Sequence, residues 1–283
     1  MDQIFRGQIF RGMTRAELDI AYNNVKAQTD YAGLMAAFHE RSRAIYEAFD
    51  VKRDIPYGAE PRQRFDWLAC GEPDAPVFVF IHGGYWQNYT KEELAFVAQG
   101  PLARGFDVVL AEYTLAPQAS MTQIVGEVGA LLDHLATSSG PVGFGVRPVC
   151  LCGHSAGGQL AALYRGHPAV DLAVAVSGLF DLEPIARSWL NDKLQLTATE
   201  IAAYSPMRQI GRGARTIVPV GAAELPELVR QSAEYAAACG ANGEAATYLL
   251  LPGHTHFTIL QDLAAPNSEI MNIVAEAMGS VFR

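Results

Sequence analysis

Two short runs of almost continuously apolar residues constrain the fold of this chain more than any other feature. They are VFVFI at residues 77–81 and RPVCLCG at residues 147–153, and each leads into a turn that contains glycine. Runs of this kind are typical of strands covered on both faces, which occur mainly in parallel sheets. Because parallel strands are joined by crossover connections, usually helices, the rest of the chain should alternate between strand and helix.

The remaining sequence has this alternation. Runs rich in β-forming residues predict strands at 63–69, 77–81, 107–111, 148–152, 172–177, 215–220 and 246–251. Helical periodicity predicts helices at 91–104, 121–137, 156–166, 225–241 and near 266–279. The chain is therefore predicted to be an α/β protein with a mostly parallel central sheet flanked by helices.

Two stretches do not follow the alternation. Residues 14–49 carry apolar side chains at three- and four-residue spacings, which predicts a helical N-terminal extension over about residues 1–50. The stretch of about 184–215 fits the pattern poorly, and we interpret it as a small cap over the functional site. No change of composition marks a linker, so residues 1–283 are predicted to form a single domain.

Composition and charge exclude several classes of function. Half of the 283 residues are apolar and 18% are charged, which indicates a folded protein with a large core. The formal net charge of −9 leaves no basic surplus to neutralise phosphates, so neither nucleic acid nor an anionic membrane is expected as a partner. Residues 1–12 lack the pattern of a signal peptide, and no apolar run is long enough to span a bilayer, which favours a cytoplasmic location. The repeat of QIFRG at 3–7 and 8–12 is too short to indicate a repeat protein.

Cysteines are few for a chain of this length: Cys70, Cys150, Cys152 and Cys239. Cys150 and Cys152 are two residues apart in a predicted strand, where their side chains point to the same face. We interpret them as reduced core residues rather than as a metal-binding or redox pair.

The segment GHSAG at residues 153–157 matches the pattern G-x-S-x-G and lies between a predicted strand and a predicted helix. A turn this sharp crowds the backbone, so glycines are needed on both sides of the serine. The turn also lifts the serine hydroxyl to the N-terminus of a helix, whose dipole favours developing negative charge. Ser155 is therefore predicted to be a nucleophile, the alternative being an incidental serine in a glycine-rich turn.

A second glycine turn, His82-Gly83-Gly84, follows the strand at 77–81. Acyl transfer builds negative charge on a carbonyl oxygen, and backbone N–H groups aimed at that oxygen stabilise it. We predict that the N–H of Gly83 or Gly84 and that of Ala156 form this oxyanion hole. His82 is expected to orient the loop and not to act as a base.

Where a strand, a G-x-S-x-G turn and a helix present the nucleophile, the catalytic residues follow one another along the chain in the order serine, acid, histidine. The general base should therefore follow the last strand. His254 and His256 follow the run at 246–251, and His256 is preferred because it directly precedes a helix-like segment. These histidines and His82 could be imagined as metal ligands, but no carboxylate-rich cluster accompanies them, so no metal is expected.

The acid should follow the preceding strand, at 215–220. Glu224 is the first carboxylate after it and would hold the imidazole in the correct tautomer. Asp181, after the strand at 172–177, and Glu227 remain alternatives.

These motifs resemble those of the kynurenine formamidase (arylformamidase) branch of the α/β-hydrolases. The resemblance rests on HGGYW at 82–86, GHSAGG at 153–158, GAAELPE at 221–227, the pair His256-Phe257 and LDIAYNN at 18–24. It implies the α/β-hydrolase fold and cofactor-independent hydrolysis of N-formyl-L-kynurenine to kynurenine and formate. It also implies that Ser155, Glu224 and His256 are the catalytic triad, with glutamate where animal members have aspartate.

The expected partner is a small aromatic amide or ester. Tyr85, Trp86 and Phe257 flank the predicted site and could stack on an aryl leaving group, although each of them could equally be a core residue. The competing functions are a small-acyl carboxylesterase and a hydrolase-fold binding protein without catalysis. The sequence leaves the oligomeric state open, a homodimer among the options.

Overall fold

The computed structural model describes residues 10–138 and 142–281. The first copy of QIFRG and the start of the second, which belong to the predicted N-terminal extension, lie outside the described residues. None of the helices within the described ranges has the length and apolar character that crossing a bilayer requires.

The centre of the structure is a sheet in the order β1-β2-β4-β3-β5-β6-β7-β8. Its strands are β1 Val51–Pro56, β2 Arg64–Leu68, β3 Val77–Ile81, β4 Asp107–Ala111, β5 Val149–His154, β6 Leu172–Val176, β7 Arg215–Gly221 and β8 Ala246–Leu251. Strand β2 is antiparallel to both β1 and β4, and the other pairs are parallel. The prediction of an α/β fold with a mostly parallel sheet is confirmed.

Helices lie between and around the strands. They are α1 Arg15–Ala21, α2 Asn24–Ala27, α3 Tyr31–Ala48, α4 Gln99–Ala103, α5 Met121–Thr137, α6 Ala156–Leu163, α7 Glu183–Ala186, α8 Asn191–Leu194, α9 Ala198–Tyr204, α10 Pro226–Ala241, α11 Ile259–Ala264 and α12 Glu269–Val281. The helix predicted at 91–104 is wrong in its first half, where turns precede a 3-10 segment at Ala95–Ala98 and then α4.

The two apolar runs form the middle of the sheet, and every residue of β3 and β5 is buried. Alternate side chains enter opposite layers: Val79 and Leu151 pack in one core, Phe78 and Cys150 in the other. Burying an aliphatic or aromatic side chain of this size contributes roughly 1.5–3 kcal/mol. Cys150 and Cys152 are free thiols in the same core, and burial raises the pKa of each.

Strand β1 was not predicted, because its central residues Lys52, Arg53 and Asp54 are polar and exposed at the edge of the sheet. The stretch predicted as a cap holds the short helices α7, α8 and α9. Nothing in these elements tests whether residues 1–283 form a single domain, so that statement stays a prediction.

The N-terminal helices pack beside α8. Thr14 caps α1 in a reciprocal arrangement with Glu17, which satisfies two backbone N–H groups at the helix start. Arg15 contacts Asp192 at 2.8 Å, and Asp19 accepts a hydrogen bond from the backbone N–H of Trp189 at 2.7 Å. The segment α1–α2 is thereby held against the predicted cap.

Candidate active site

The predicted turn around Ser155 has strained geometry. Strand β5 ends at His154, helix α6 begins at Ala156, and Ser155 between them has φ 57° and ψ −116°. A Cβ added at Gly153 would lie 2.0 Å from the carbonyl oxygen of Gly157. Side chains larger than hydrogen are therefore excluded where the turn folds back on itself, while Ser155 alone carries the unfavourable backbone conformation.

Ser155, His256 and Glu224 form a continuous hydrogen-bonded row. Ser155 Oγ lies 3.0 Å from His256 Nε2, and His256 Nδ1 lies 2.7 Å from Glu224 Oε2. The three residues follow β5, β8 and β7, whose carboxyl ends lie at one edge of the sheet. All three are buried, so water competes little for these hydrogen bonds.

The second oxygen of Glu224 is held as firmly as the first. Oε1 accepts hydrogen bonds from Ser177 Oγ at 2.5 Å and from the backbone N–H of Gly221 at 2.8 Å. Ser177 follows β6 and has φ 50°. Sequence reasoning missed Ser177, because its partner is 47 residues away and no local pattern joins them.

The two alternative acids have other contacts. Asp181 Oδ1 accepts the backbone N–H of Glu183 at 3.0 Å, a local loop interaction. Glu227 is paired with Arg230 at 2.6 Å and accepts the hydroxyl of Tyr22 at 2.9 Å. Among the described residues, the carboxylate that contacts His256 is that of Glu224.

The neighbouring histidines lie apart from this row. His254 Nδ1 contacts the carbonyl oxygen of Thr258 at 3.3 Å. His154 Nε2 donates to the carbonyl oxygen of His256 at 2.8 Å, since a carbonyl can only accept. Burial and then the nearby His256 lower the pKa of His154 well below its ordinary value, which keeps this ring neutral beside His256. The described residues contain no group of three or more His, Cys, Asp or Glu side chains arranged to hold a metal ion.

The predicted oxyanion residues lie against the serine. A Cβ added at Gly83 would be 3.0 Å from the Cβ of Ser155, so this backbone approaches the hydroxyl closely. Gly84 has φ 100°, and a side chain there would meet the carbonyl oxygen of Asn88 at 2.3 Å. Ala156 is the first residue of α6, where backbone N–H groups have no partner within the helix. Both predicted sources of N–H groups therefore border the serine.

His82 fixes this glycine loop. Its Nδ1 contacts the carbonyl oxygen of Gly83 at 2.8 Å, and its Nε2 contacts Glu112 Oε1 at 3.0 Å. Burial opposes ionisation of Glu112, but His82 and Arg62 outweigh it and keep the pKa of Glu112 lowered. The ring of Tyr113 stacks on His82 at 4.5 Å. His82 thus contacts the loop and not the serine, as expected from the sequence.

A narrow cleft opens onto the serine. Its volume is about 70 Å³, whereas pockets that enclose drug-sized ligands measure about 300–1,000 Å³. Residues from five parts of the chain line it: Tyr22, Asn23, Asn24, Val25, Gly84, Tyr85, Asn88, Tyr89, His154, Ser155, Trp189, His256 and Phe257. A cleft of this volume has room for a small acyl group.

The predicted substrate-binding residues divide in two. Tyr85 and Phe257 line the cleft, and the ring of Phe257 meets that of His256 edge-on at 5.4 Å. Trp86 does not line it, which corrects the prediction for this residue. Its side chain is fully buried, and its indole N–H donates to Gln159 Oε1 at 3.1 Å. The reversed turn at Gly84 and Tyr85 directs neighbouring rings to opposite sides.

Two walls of the cleft were not predicted as functional. One is the N-terminal segment Tyr22–Val25, which the sequence marked only through the resemblance of LDIAYNN. The other is Trp189 in the predicted cap, which is 39% exposed. No sequence signal indicates that these distant segments meet over the serine.

Comparison with known proteins agrees with this geometry. The family model BD-FAE matches residues 69–171. A kynurenine formamidase of Danio rerio is 26% identical, covering 95% of this chain and 98% of that protein. One of Salmo salar is 28% identical and covers 85% of each chain. A crystal structure of a Silicibacter protein with a provisional thioesterase assignment superposes with a TM-score of 0.80 at 26% identity, covering 91% of this chain and 98% of that one.

The resemblance drawn from the motifs is thereby confirmed. Both formamidases align over most of their own length, so the likeness is not confined to GHSAG and the glycine loop His82-Gly83-Gly84. The chain is a hydrolase of the α/β-hydrolase fold and is similar to kynurenine formamidases over most of its length.

Proposed function

We propose that this chain removes the formyl group from N-formyl arylamines such as N-formylkynurenine, through a covalent acyl-enzyme and without a cofactor. The observation that carries the proposal is the hydrogen-bonded row from Ser155 through His256 to Glu224, beside the Gly83 backbone. In this proposal Ser155 is the nucleophile, His256 the general base and Glu224 the group that orients it.

The first half of the reaction forms the acyl-enzyme. His256 Nε2 takes the hydroxyl proton as Ser155 Oγ bonds to the formyl carbon. The carbonyl oxygen becomes an oxyanion, which accepts N–H groups from the Gly83–Gly84 loop and Ala156. Glu224 stabilises the imidazolium and holds Nδ1–H towards itself, which leaves Nε2 free to accept the proton.

The second half releases both products. The carbon–nitrogen bond breaks, and His256 gives its proton to the departing aryl amine. Water then attacks the formyl ester of Ser155 with His256 again as base. The bond between Ser155 Oγ and the formyl carbon breaks, His256 returns the proton to Oγ, and formate leaves. The net reaction consumes one water and needs no other reagent.

The size and lining of the cleft support a small acyl group and an aromatic leaving group. A cleft volume of about 70 Å³ accommodates a formyl group beside Ser155 and favours small acyl groups over long acyl chains. The rings of Tyr85, Phe257 and Trp189 line the same cleft, and flat apolar surfaces of this kind favour an aromatic ring. Small aromatic amides are therefore the substrate class that we propose, and a cytoplasmic location remains part of the proposal.

Replacing the nucleophile tests the proposal. Ser155→Ala is expected to lower kcat for N-formyl-L-kynurenine by about 10⁴-fold or more, because no covalent intermediate can form. The measurement is formate release, with thermal unfolding as the check that the variant stays folded. A folded variant that keeps most of its activity would contradict the assignment of Ser155.

A small-acyl carboxylesterase is the second candidate. The same row and loop can act on an ester carbonyl, and the narrow cleft selects small acyl groups in either case. The ratio of kcat/KM for N-formylkynurenine to that for p-nitrophenyl acetate separates the two, since an esterase would favour the second substrate. A protein that hydrolyses neither substrate would support the binding-protein alternative.

A further inference from the structure

Asn24 lies in the candidate active site although it is far from the catalytic loops in sequence. It is the first residue of α2, in the N-terminal segment that packs over the cleft. Its side chain lines the same cleft as Ser155 and His256. Only 3% of its surface is exposed, so water cannot readily satisfy its amide group.

The hydrogen bonds of Tyr85 fix which way the Asn24 amide points. The Tyr85 hydroxyl donates its one proton to the backbone carbonyl oxygen of Tyr22 at 2.7 Å. Burial raises the pKa of Tyr85, so the hydroxyl keeps that proton. The same hydroxyl can then only accept from Asn24, and it does so from Nδ2 at 2.9 Å. The carbonyl oxygen of the Asn24 amide is therefore directed elsewhere.

That oxygen, Asn24 Oδ1, is buried and has no hydrogen-bond partner among the described residues. Buried polar atoms in folded proteins are almost always paired, and an unpaired one calls for an explanation. Here the atom belongs to a side chain that lines a cleft beside a nucleophile. An acceptor in such a place suits a ligand that brings an N–H group.

We propose that Asn24 Oδ1 accepts the N–H of the scissile amide and thereby favours formamides over the corresponding esters. This inference rests on the proposed function and names a specificity-determining residue for it. Tyr85 holds Asn24 in the required orientation through the hydrogen bond from Asn24 Nδ2 to its hydroxyl.

The stereochemistry of amide cleavage explains why such an acceptor helps. When Ser155 Oγ adds to the carbonyl carbon, the nitrogen becomes pyramidal and its lone pair is no longer delocalised into the carbonyl group. That lone pair must face His256 Nε2 to receive the proton, so the N–H must point away from the imidazole. An acceptor for the N–H stabilises this arrangement in the transition state. An ester has no N–H and gains nothing from the acceptor.

Three substrates that differ at one position test the inference. Formanilide carries an N–H, N-methylformanilide carries a methyl group on the same nitrogen, and phenyl formate carries oxygen there. The variant Asn24→Ala is compared with the unmodified chain by formate release, with spontaneous hydrolysis subtracted. Asn24→Ala should lower kcat/KM for formanilide about tenfold, the effect of one hydrogen bond. Its kcat/KM for phenyl formate and for N-methylformanilide should change less than about twofold.

A matched control distinguishes recognition of the substrate N–H by Asn24 from anchoring of the N-terminal segment over the cleft. Gln28 follows α2, and its Oε1 accepts the Thr255 hydroxyl at 2.6 Å, but it does not line the cleft. Gln28→Ala should affect formanilide and phenyl formate to the same extent. If Asn24→Ala does not fold, as judged by thermal unfolding, Asn24→Leu fills the same space without an acceptor and takes its place.

The outcomes are distinct. Equal losses on formanilide and phenyl formate, or no loss on formanilide, would overturn the role of Asn24 and leave the proposed function standing. If the unmodified chain hydrolyses phenyl formate but neither formanilide nor N-formylkynurenine, the proposed function fails and the inference fails with it. A selective loss on formanilide supports both.

Discussion

The candidate active site is built from two regions that differ in how the chain specifies them. The first is the edge of the sheet, where short loops after β5, β7 and β8 hold Ser155, Glu224 and His256 in direct contact. The second is the covering wall, which we define as the N-terminal segment Tyr22–Val25 together with Trp189. Each of these loops directly follows a strand of the sheet, whereas the covering wall is held by contacts between residues that are far apart in sequence.

The contacts of the covering wall illustrate this difference. The Tyr22 hydroxyl accepts a hydrogen bond from Gln231, 209 residues away, and Asn24 donates one to the Tyr85 hydroxyl, 61 residues away. The wall also exposes apolar surface at its rim, with Val25 48% and Trp189 39% exposed. The sheet edge is suited to the chemistry that all acyl substrates share, and the covering wall to distinguishing among them. Changes at the sheet edge should therefore act on kcat, and changes at the wall on specificity and stability.

The largest expected effect lies at the sheet edge. Glu224→Gln should lower kcat by about 10⁴-fold, because an amide at this position favours the wrong tautomer of the base. Formate release at saturating N-formylkynurenine measures it, and thermal unfolding checks the fold. A loss of less than about tenfold would mean that another group orients His256. The contrast between the sheet edge and the covering wall would then no longer hold.

A smaller effect is expected from the hydroxyl behind the acid. Ser177→Ala removes the donor at 2.5 Å from Glu224 Oε1, and kcat should fall about tenfold because the carboxylate is held less firmly. Ser232→Ala is the matched control, since Ser232 Oγ is buried but has no partner among the described residues. Steady-state kinetics of both variants measure the difference. Equal kinetics for the two would show that Ser177 only fills space.

The smallest expected effect is on stability and lies at the covering wall. Tyr22→Phe removes hydrogen bonds to Glu227 and Gln231 and should lower the free energy of unfolding by about 1–3 kcal/mol. Burial raises the pKa of Glu227, but Arg230 and the Tyr22 hydroxyl outweigh it, so the pKa in the folded state lies below the ordinary value of 4.5.

The sign of this shift gives the pH dependence. A carboxyl with a lowered pKa in the folded state contributes stability above its unfolded pKa and loses it as the pH falls through the folded pKa. The difference in the free energy of unfolding between the unmodified chain and Tyr22→Phe should therefore have its full value at neutral pH and should become smaller below about pH 4. Urea unfolding at several pH values measures it. A difference that does not change with pH would mean that Glu227 is not involved.

Much of the sheet edge could be predicted from the sequence, because its signals are local. A strand, a crowded glycine turn and a helix follow one another around Ser155, and the order of elements directs attention to Glu224 and His256. The predicted strands agree with β2 to β8 within about two residues, as expected for boundaries read from sequence. Strand β1 was missed because an exposed edge strand needs no apolar alternation.

The covering wall could not be predicted, because no local sequence pattern indicates which segment lies over Ser155. Asn24 and Trp189 are ordinary residues in their own sequence context, and only the fold brings them to the cleft. The error at Trp86 has the same origin. Tyr85 and Trp86 were both expected near the serine because they directly follow the glycine loop, but the backbone turns with positive φ at both residues, and only Tyr85 reaches the cleft.

The N-terminal part of the covering wall is one continuous piece of chain, and this has a practical consequence for engineering. Because residues 22–25 form one short piece of chain that lines the cleft without supplying the row Ser155–His256–Glu224, a library of variants confined to this tetrapeptide and Trp189 would explore new leaving groups while the reactive loops keep their native sequence. Selection for hydrolysis of chromogenic anilides could then change the leaving-group specificity through these wall residues.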